Sequence, residues 1–191
     1  MVQSGQVLGV QIGVAQRILI NGRAIVTAIG KYPATGKMIV TKLGLQGDEQ
    51  ADLTVHGGFA KAVYAYPSEH YAFWREQRRL MGLPATLPYG SLGENLTLTG
   101  VLEENLFVGD ELFFPDCVLR VTQPREPCYK FNHVMGDRQA AKKMVQTGFS
   151  GFYLAVERPG SIAAGQVFQL REGSREVPIS ALFKKAALKV R

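Results

Sequence analysis

The segment Gln16-Arg17-Ile18-Leu19-Ile20-Asn21-Gly22-Arg23-Ala24-Ile25-Val26 sets two short apolar runs against each other across Asn21-Gly22. Asn-Gly tolerates the positive φ angles of a two-residue turn, so this stretch predicts a β-hairpin. On its N-terminal side, Val7, Val10, Ile12 and Val14 keep a near-alternating spacing that also reads as strand. On its C-terminal side, Met38 to Leu43, Asn95 to Thr99, Leu106 to Phe114, Val118 to Thr122, Phe152 to Glu157 and Gln166 to Arg171 are short β-prone runs bounded by Gly, Pro or Asp. About eight short strands predict a mainly β fold, a closed or nearly closed β-barrel with a few short peripheral helices.

Helical signals are fewer. Pro67 opens a stretch to Leu80 with Tyr71 and Trp74 three apart, and Gly82 lies just past its end. Asp137 is an N-cap candidate for a second helix to Val145, and Ser180 to Val190 reads as a third. The expected organisation is one barrel domain over residues 1–170, followed by a short basic, helical segment over 171–191.

With 191 residues, 46% of them hydrophobic and 20% charged, the chain can bury a core of its own. No apolar run reaches the roughly 18 residues of a membrane span, and the first residues lack the pattern of a secretory signal. The reading is therefore cytoplasmic, with no membrane partner and a reducing compartment. The net charge of +6 is uneven: six basic against two acidic residues in 171–191 give that tail +4 and leave +2 for the body. This argues against a nucleic-acid partner and leaves room for a local anionic ligand.

Two cysteines in such a compartment are expected as thiols. Cys117, among Phe113, Phe114, Val118 and Leu119, reads as a small core residue. Cys128 sits instead in Gln123-Pro124-Arg125-Glu126-Pro127-Cys128-Tyr129-Lys130, which the two prolines make a rigid loop. Arg125 and Lys130 favour its thiolate, the form that attacks electrophiles or ligates metal. A second constellation, Val55-His56-Gly57-Gly58-Phe59-Ala60-Lys61, offers backbone amides, an imidazole and a lysine to an anion such as a phosphate. A turn beside a satisfied histidine is the bland alternative. His56 or His133 could also serve Cys128 as a base for thiol hydrolysis. Zinc is disfavoured, because Cys128 and His133 lack paired ligand spacing and His70 falls in the first helix. Asp48, Glu49 and Asp52 could line a pocket, and read first as a solvated loop.

Taken together, Leu45-Gln46-Gly47-Asp48-Glu49-Gln50-Ala51-Asp52, Val55-His56-Gly57-Gly58, Ala65-Tyr66-Pro67, Gly93-Glu94-Asn95-Leu96 and Pro124-Arg125-Glu126-Pro127-Cys128-Tyr129-Lys130 resemble the MOSC family, named for the C-terminal domain of molybdenum cofactor sulfurases. Thr147-Gly148 and Gly151-Phe152-Tyr153 follow in the same order, so the resemblance covers roughly residues 5 to 170. Within the family it is nearest to stand-alone bacterial members of the YiiM type, linked to resistance against N-hydroxylated purines. Many of those continue into a longer helical region, where this sequence shows one short basic helix.

The resemblance implies a MOSC-type barrel, a bound molybdenum cofactor (Mo-molybdopterin) and a cysteine that ligates molybdenum, a position matched by Cys128. It further implies that His56, Gly57, Gly58 and Lys61 line the anionic part of the cofactor site, that Arg125 and Lys130 flank the thiolate, and that Asn95 shapes the wall with Glu94. The expected activity is reduction of N-hydroxylated bases and related N–OH compounds. A separate reductase would supply electrons, since the chain has no Gly-x-Gly-x-x-Gly fingerprint and no four-cysteine cluster. A non-catalytic carrier of the cofactor or of sulfur is the alternative, and the oligomeric state is left open.

Overall fold

The computed structural model describes residues 3–51 and 57–188, except the side chains of 187 and 188. His56 and Asp52 lie outside the described residues, as do residues 189 and 190 of the expected third helix. The strands run β1 (Ser4–Ile12), β2 (Gln16–Ile20), β3 (Arg23–Thr27), β4 (Tyr32–Pro33), β5 (Met38–Thr41), β6 (Gly44–Leu45) and β7 (Val63–Pro67). They continue with β8 (Leu96–Thr99), β9 (Glu111–Phe113), β10 (Val118–Pro124), β11 (Phe152–Arg158), β12 (Gly160–Ile162) and β13 (Val167–Arg171). The helices are α1 (Tyr71–Leu80), α2 (Tyr129–Met135), α3 (Ala140–Thr147) and α4 (Ile179–Leu188).

Among the described residues, β13, β9, β10, β11, β7, β8 and β1 pair in that order, and β1 returns to β13 to close a seven-stranded barrel. Neighbours are antiparallel except β7 and β8, which run parallel and are connected through α1. The N-terminal strand explains its own irregular spacing. Val7 and Val10 are both buried although three apart, because the register shifts between Val7 and Gly9 and the bulge returns Val10 to the inner face.

Strand β7 is buried along its whole length and faces two cores. Val63 and Ala65 point into the barrel, with Leu98, Leu112, Leu119 and Phe168. Tyr64 and Tyr66 point outward into a second cluster, with Tyr71 and Trp74 of α1, Phe131 and Met135 of α2, Met144 of α3 and Phe183 of α4. Strand β11 alternates in the same way, Phe152 and Leu154 inward and Tyr153 outward. The helices are thus one layer laid over the outer faces of β7 and β11.

The Asn21-Gly22 turn forms as expected, with φ of 51° and 77°, and β2 pairs with β3 from Gln16↔Thr27 to Ile20↔Arg23. That hairpin stands outside the barrel as a separate two-stranded sheet. Such a ribbon has little stability alone. Asn21→Ala, which removes the short polar side chain that lets a Cβ-bearing residue tolerate this left-handed φ, is expected to cost about 1 kcal/mol. Hydrogen exchange should quicken at amides 16–27 and not in the barrel; uniform quickening would show the hairpin to be coupled to the core.

Other elements depart from expectation for local reasons. The run from Leu106 to Phe114 breaks at Gly109-Asp110, where the Asp110 carboxylate accepts from Phe107 N (3.0 Å), so only Glu111–Phe113 is strand. Strand β10 runs past Thr122 to Pro124, whose missing amide matters little at a strand end. Pro67 ends β7 rather than opening α1, and a 3-10 turn, Ser68–His70, intervenes. Asp137 is not the N-cap: α3 runs Ala140–Thr147 with Gln139 at the N-cap position and no side-chain cap, and the Asp137 carboxylate instead accepts from Gln139 N (2.8 Å) in the turn that precedes the helix. Helix α2 was not expected. It begins immediately after Cys128 and stops at Gly136, which takes the left-handed conformation (φ 65°). Helix α4 begins at Ile179 and is stitched to the barrel by Ile179 N donating to Leu106 O (2.9 Å).

Candidate functional site

A cleft opens where the ends of β7, β10 and β11 meet α2 and the segments 27–31 and 48–51. Five of the expected residues line it: Lys61, Asn95, Arg125, Cys128 and Lys130. Gly57 and Gly58 are not among its lining residues. Gly58 holds φ 89° in open space, so its backbone angle rather than lack of room calls for glycine. Its amide donates to Gln50 Oε1 (3.0 Å), and Gln50 does line the cleft.

Arg125 is the central cation. It is 4% exposed, with its guanidinium carbon 5.2 Å from the Tyr64 ring centroid and 5.0 Å from that of Phe131. Nη1 donates to Met144 Sδ (3.9 Å). Among the described residues no carboxylate forms an ion pair with it. Burying a cation without a counter-charge is costly, so groups that tolerate or welcome charge surround it: aromatic faces, a polarisable sulfur and the thiol of Cys128. Burial pushes the phenols of Tyr64 and Tyr153 up, and the Arg125 charge opposes the shift in both.

Cys128 is half-buried and stands just before α2, in extended backbone. It belongs to neither hydrophobic cluster, and a thiolate there would act electrostatically on both Arg125 and Tyr153. Cys117 is fully buried in the barrel core as expected, and burial pushes its thiol up to about 11. The two sulfurs therefore differ in kind: one is inert by burial and one faces the cleft beside a cation. Lys61 Nζ lies 5.7 Å above the Tyr153 ring, adding a second cation on the same wall.

Asn95 lines the cleft with its amide already engaged. Oδ1 accepts from Tyr64 N (3.0 Å) and Nδ2 donates to Gln11 O (3.2 Å), so the side chain staples β7 to β1. Glu94 is fully buried and holds the 90–97 loop, accepting from Gly90 N, Leu92 N, Thr97 Oγ1 and Tyr71 Oη; burial pushes its carboxyl up. Asp48 and Glu49 both line the cleft: Asp48, withdrawn from solvent, accepts from Gly13 N (2.7 Å) and Lys31 Nζ, while Glu49 stays exposed and accepts from Ala15 N (2.7 Å). Neither described histidine joins the site. His133 is exposed and lines a separate hollow under the β2–β3 hairpin, and His70 is buried elsewhere.

Sequence reasoning missed Tyr64, Tyr153 and Lys31. Tyr153 stood in the Gly151-Phe152-Tyr153 block and could have been named from it. Nothing local marks Lys31, which matters only because the fold brings Asp48 to it.

The model of the MOSC domain matches residues 52–169. The chain is 39% identical over 164 residues to the uncharacterized protein YflK of Bacillus subtilis (strain 168), an overlap of 86% of this chain and 72% of YflK. It is 34% identical over 169 residues to a protein of Gibberella moniliformis named Reductase, covering 88% of this chain but only 29% of that protein. The crystal structure of YiiM from Geobacillus stearothermophilus superposes with a TM-score of 0.76 at 29% identity, over 97% of this chain and 85% of that one.

Proposed function

The chain belongs to the MOSC domain family, and from that premise we propose that it is a molybdenum-cofactor-dependent reductase of N-hydroxylated bases and related N–OH compounds, with Cys128 as its metal ligand. The family and the reductase-named relative support the coarser statement, an oxidoreductase-like role of the MOSC type. The observation that carries the finer reading is Arg125: a guanidinium 4% exposed, facing no carboxylate among the described residues, in the same cleft as Cys128. A buried cation so placed favours an anionic ligand.

The residues present fit the cofactor. Molybdopterin carries a phosphate at one end and a dithiolene at the other, so its site needs cationic donors and one soft protein ligand. Cys128 supplies the soft donor, and Arg125, Lys61 and Lys130 supply positive charge. The bound group supplies two-electron redox chemistry; overall, N–OH takes two electrons and two protons to give N–H and water. The chain's own part is to hold the thiol at the cleft, to offset negative charge with Arg125, and to wall out water with the rings of Tyr64 and Tyr153. A separate reductase would return the electrons.

Expression in a host that makes the cofactor, followed by metal analysis and an assay on an N-hydroxylated purine with a supplied electron donor, tests this reading. Metal with turnover is expected. Turnover without metal would overturn it, and metal without turnover would favour a carrier. Arg125→Ala and Lys61→Ala should each lower molybdenum per chain after gel filtration, by about tenfold for the buried arginine. Unchanged occupancy in both would place the anion site elsewhere.

A further inference from the structure

We infer that His70 and Glu103, neither of which lines the cleft, are positioning residues for the Arg125 guanidinium, acting through the segment 149–151; this rests on reading Arg125 as the cation that faces the cleft's ligand. The two side chains are buried, 7% and 4% exposed, and His70 Nε2 lies 2.8 Å from Glu103 Oε2. The other carboxylate oxygen accepts from Gly151 N at 2.6 Å. The His70 ring stacks on Phe149, with centroids 3.8 Å apart and planes 12° apart. One buried pair thus grips both ends of a three-residue segment.

That segment in turn holds both parts of the clamp around the cation. Gly151 O accepts from Arg125 N (3.4 Å), fixing the backbone from which the guanidinium extends. Ser150 O accepts from Tyr64 Oη (2.8 Å), fixing the ring on which the guanidinium lies. Phe149 O accepts from Tyr66 Oη (3.0 Å), which itself accepts from Trp74 Nε1 (2.6 Å). The shorter path, Glu103 to Gly151 N (2.6 Å) and Ser150 O to Tyr64 Oη (2.8 Å), transmits a displacement at Glu103 to the ring under Arg125, and displacements near 1 Å are large for a charged contact.

The test compares two alkylating agents on Cys128 in the full chain. Iodoacetate is an anion and iodoacetamide is neutral; the same thiolate attacks the CH2 of each and displaces iodide, so the ratio of their rates at fixed pH cancels the thiolate fraction and reports the cation beside the sulfur. Cys117, wholly buried, stays silent, and peptide mass spectrometry assigns the adduct. Arg125→Met is the reference and should lower the ratio roughly fivefold. Glu103→Ala, or Glu103→Asp should the first fail to fold, displaces the cation without removing it and is expected to lower the ratio roughly twofold, part of the way to Arg125→Met. Glu103→Gln keeps an oxygen for Gly151 N and an amide for His70, and should retain the wild-type ratio, an outcome that mere loss of stability would not produce. A wild-type ratio in folded Glu103→Ala or Glu103→Asp, with a lowered one in Arg125→Met, overturns the inference and leaves the reading of Arg125 standing. A fall in Glu103→Gln equal to that in Glu103→Ala overturns it too. An unchanged ratio in Arg125→Met overturns the reading beneath it.

Discussion

Cys128→Ala is expected to reduce turnover of an N-hydroxylated purine by at least about 100-fold in the cofactor-loaded protein, while the melting temperature stays within about 2 °C of wild type. The two halves of this expectation have separate physical sources. Outer partners of metal ligands already cost about 10 to 100-fold when removed, so loss of the ligand itself should cost more. Stability should barely move, because the Cys128 side chain belongs to neither hydrophobic cluster and stands at the cleft, between the end of β10 and the start of α2. Cys128→Ser tests the same point with a hard oxygen of similar size and should be as inactive. Full activity in either variant would remove Cys128 from the reaction.

Gly151→Ala should act in the opposite way, with its largest effect on the stability of the fold. Gly151 has φ 66°, and a Cβ there would come within 2.6 Å of Ala65 O, 2.7 Å of Tyr64 Cε2 and 2.8 Å of Tyr66 Cδ2. The nearest neighbour is backbone of β7 and the rings are packed in the second cluster, so none of the three can give way cheaply. Left-handed strain and overpacking together should cost about 3 kcal/mol, or roughly 6 to 12 °C in melting temperature for a chain of this size. A shift below about 2 °C would mean that the contact between β7 and the 149–151 segment is looser than described.

Much of the architecture was legible in the sequence, and what was not shares a cause. Short β-prone runs between Gly, Pro and Asp announced a barrel, and Asn21-Gly22 announced its hairpin turn. The sequence could not tell that this hairpin stands apart from the barrel, because periodicity records which face is apolar and not which strand it meets. Helix α2 escaped because its seven residues follow two prolines and are too few for a helical period to show. For the site, Arg125 was chosen as a neighbour of Cys128 along the chain. Its decisive property, burial between Tyr64 and Phe131, depends on residues 61 before it and 6 after it. Asn95 illustrates the converse: a motif identified the position, while the geometry shows its amide engaged with the backbone of β1 and β7.

Barrel closure has a consequence for biosynthesis. Ser4 to Gln6 pair with Val167 to Gln169, so one edge of β1 stays open during synthesis until β13 has emerged. The walls of the cleft are gathered from residue 27 to residue 153, and no shorter nascent chain contains them all. Folding of the barrel is therefore expected to be slow, since contacts of such separation carry a large loop-closure cost. During that interval the open edge of β1 is the place where a chaperone, or a second nascent chain, would engage.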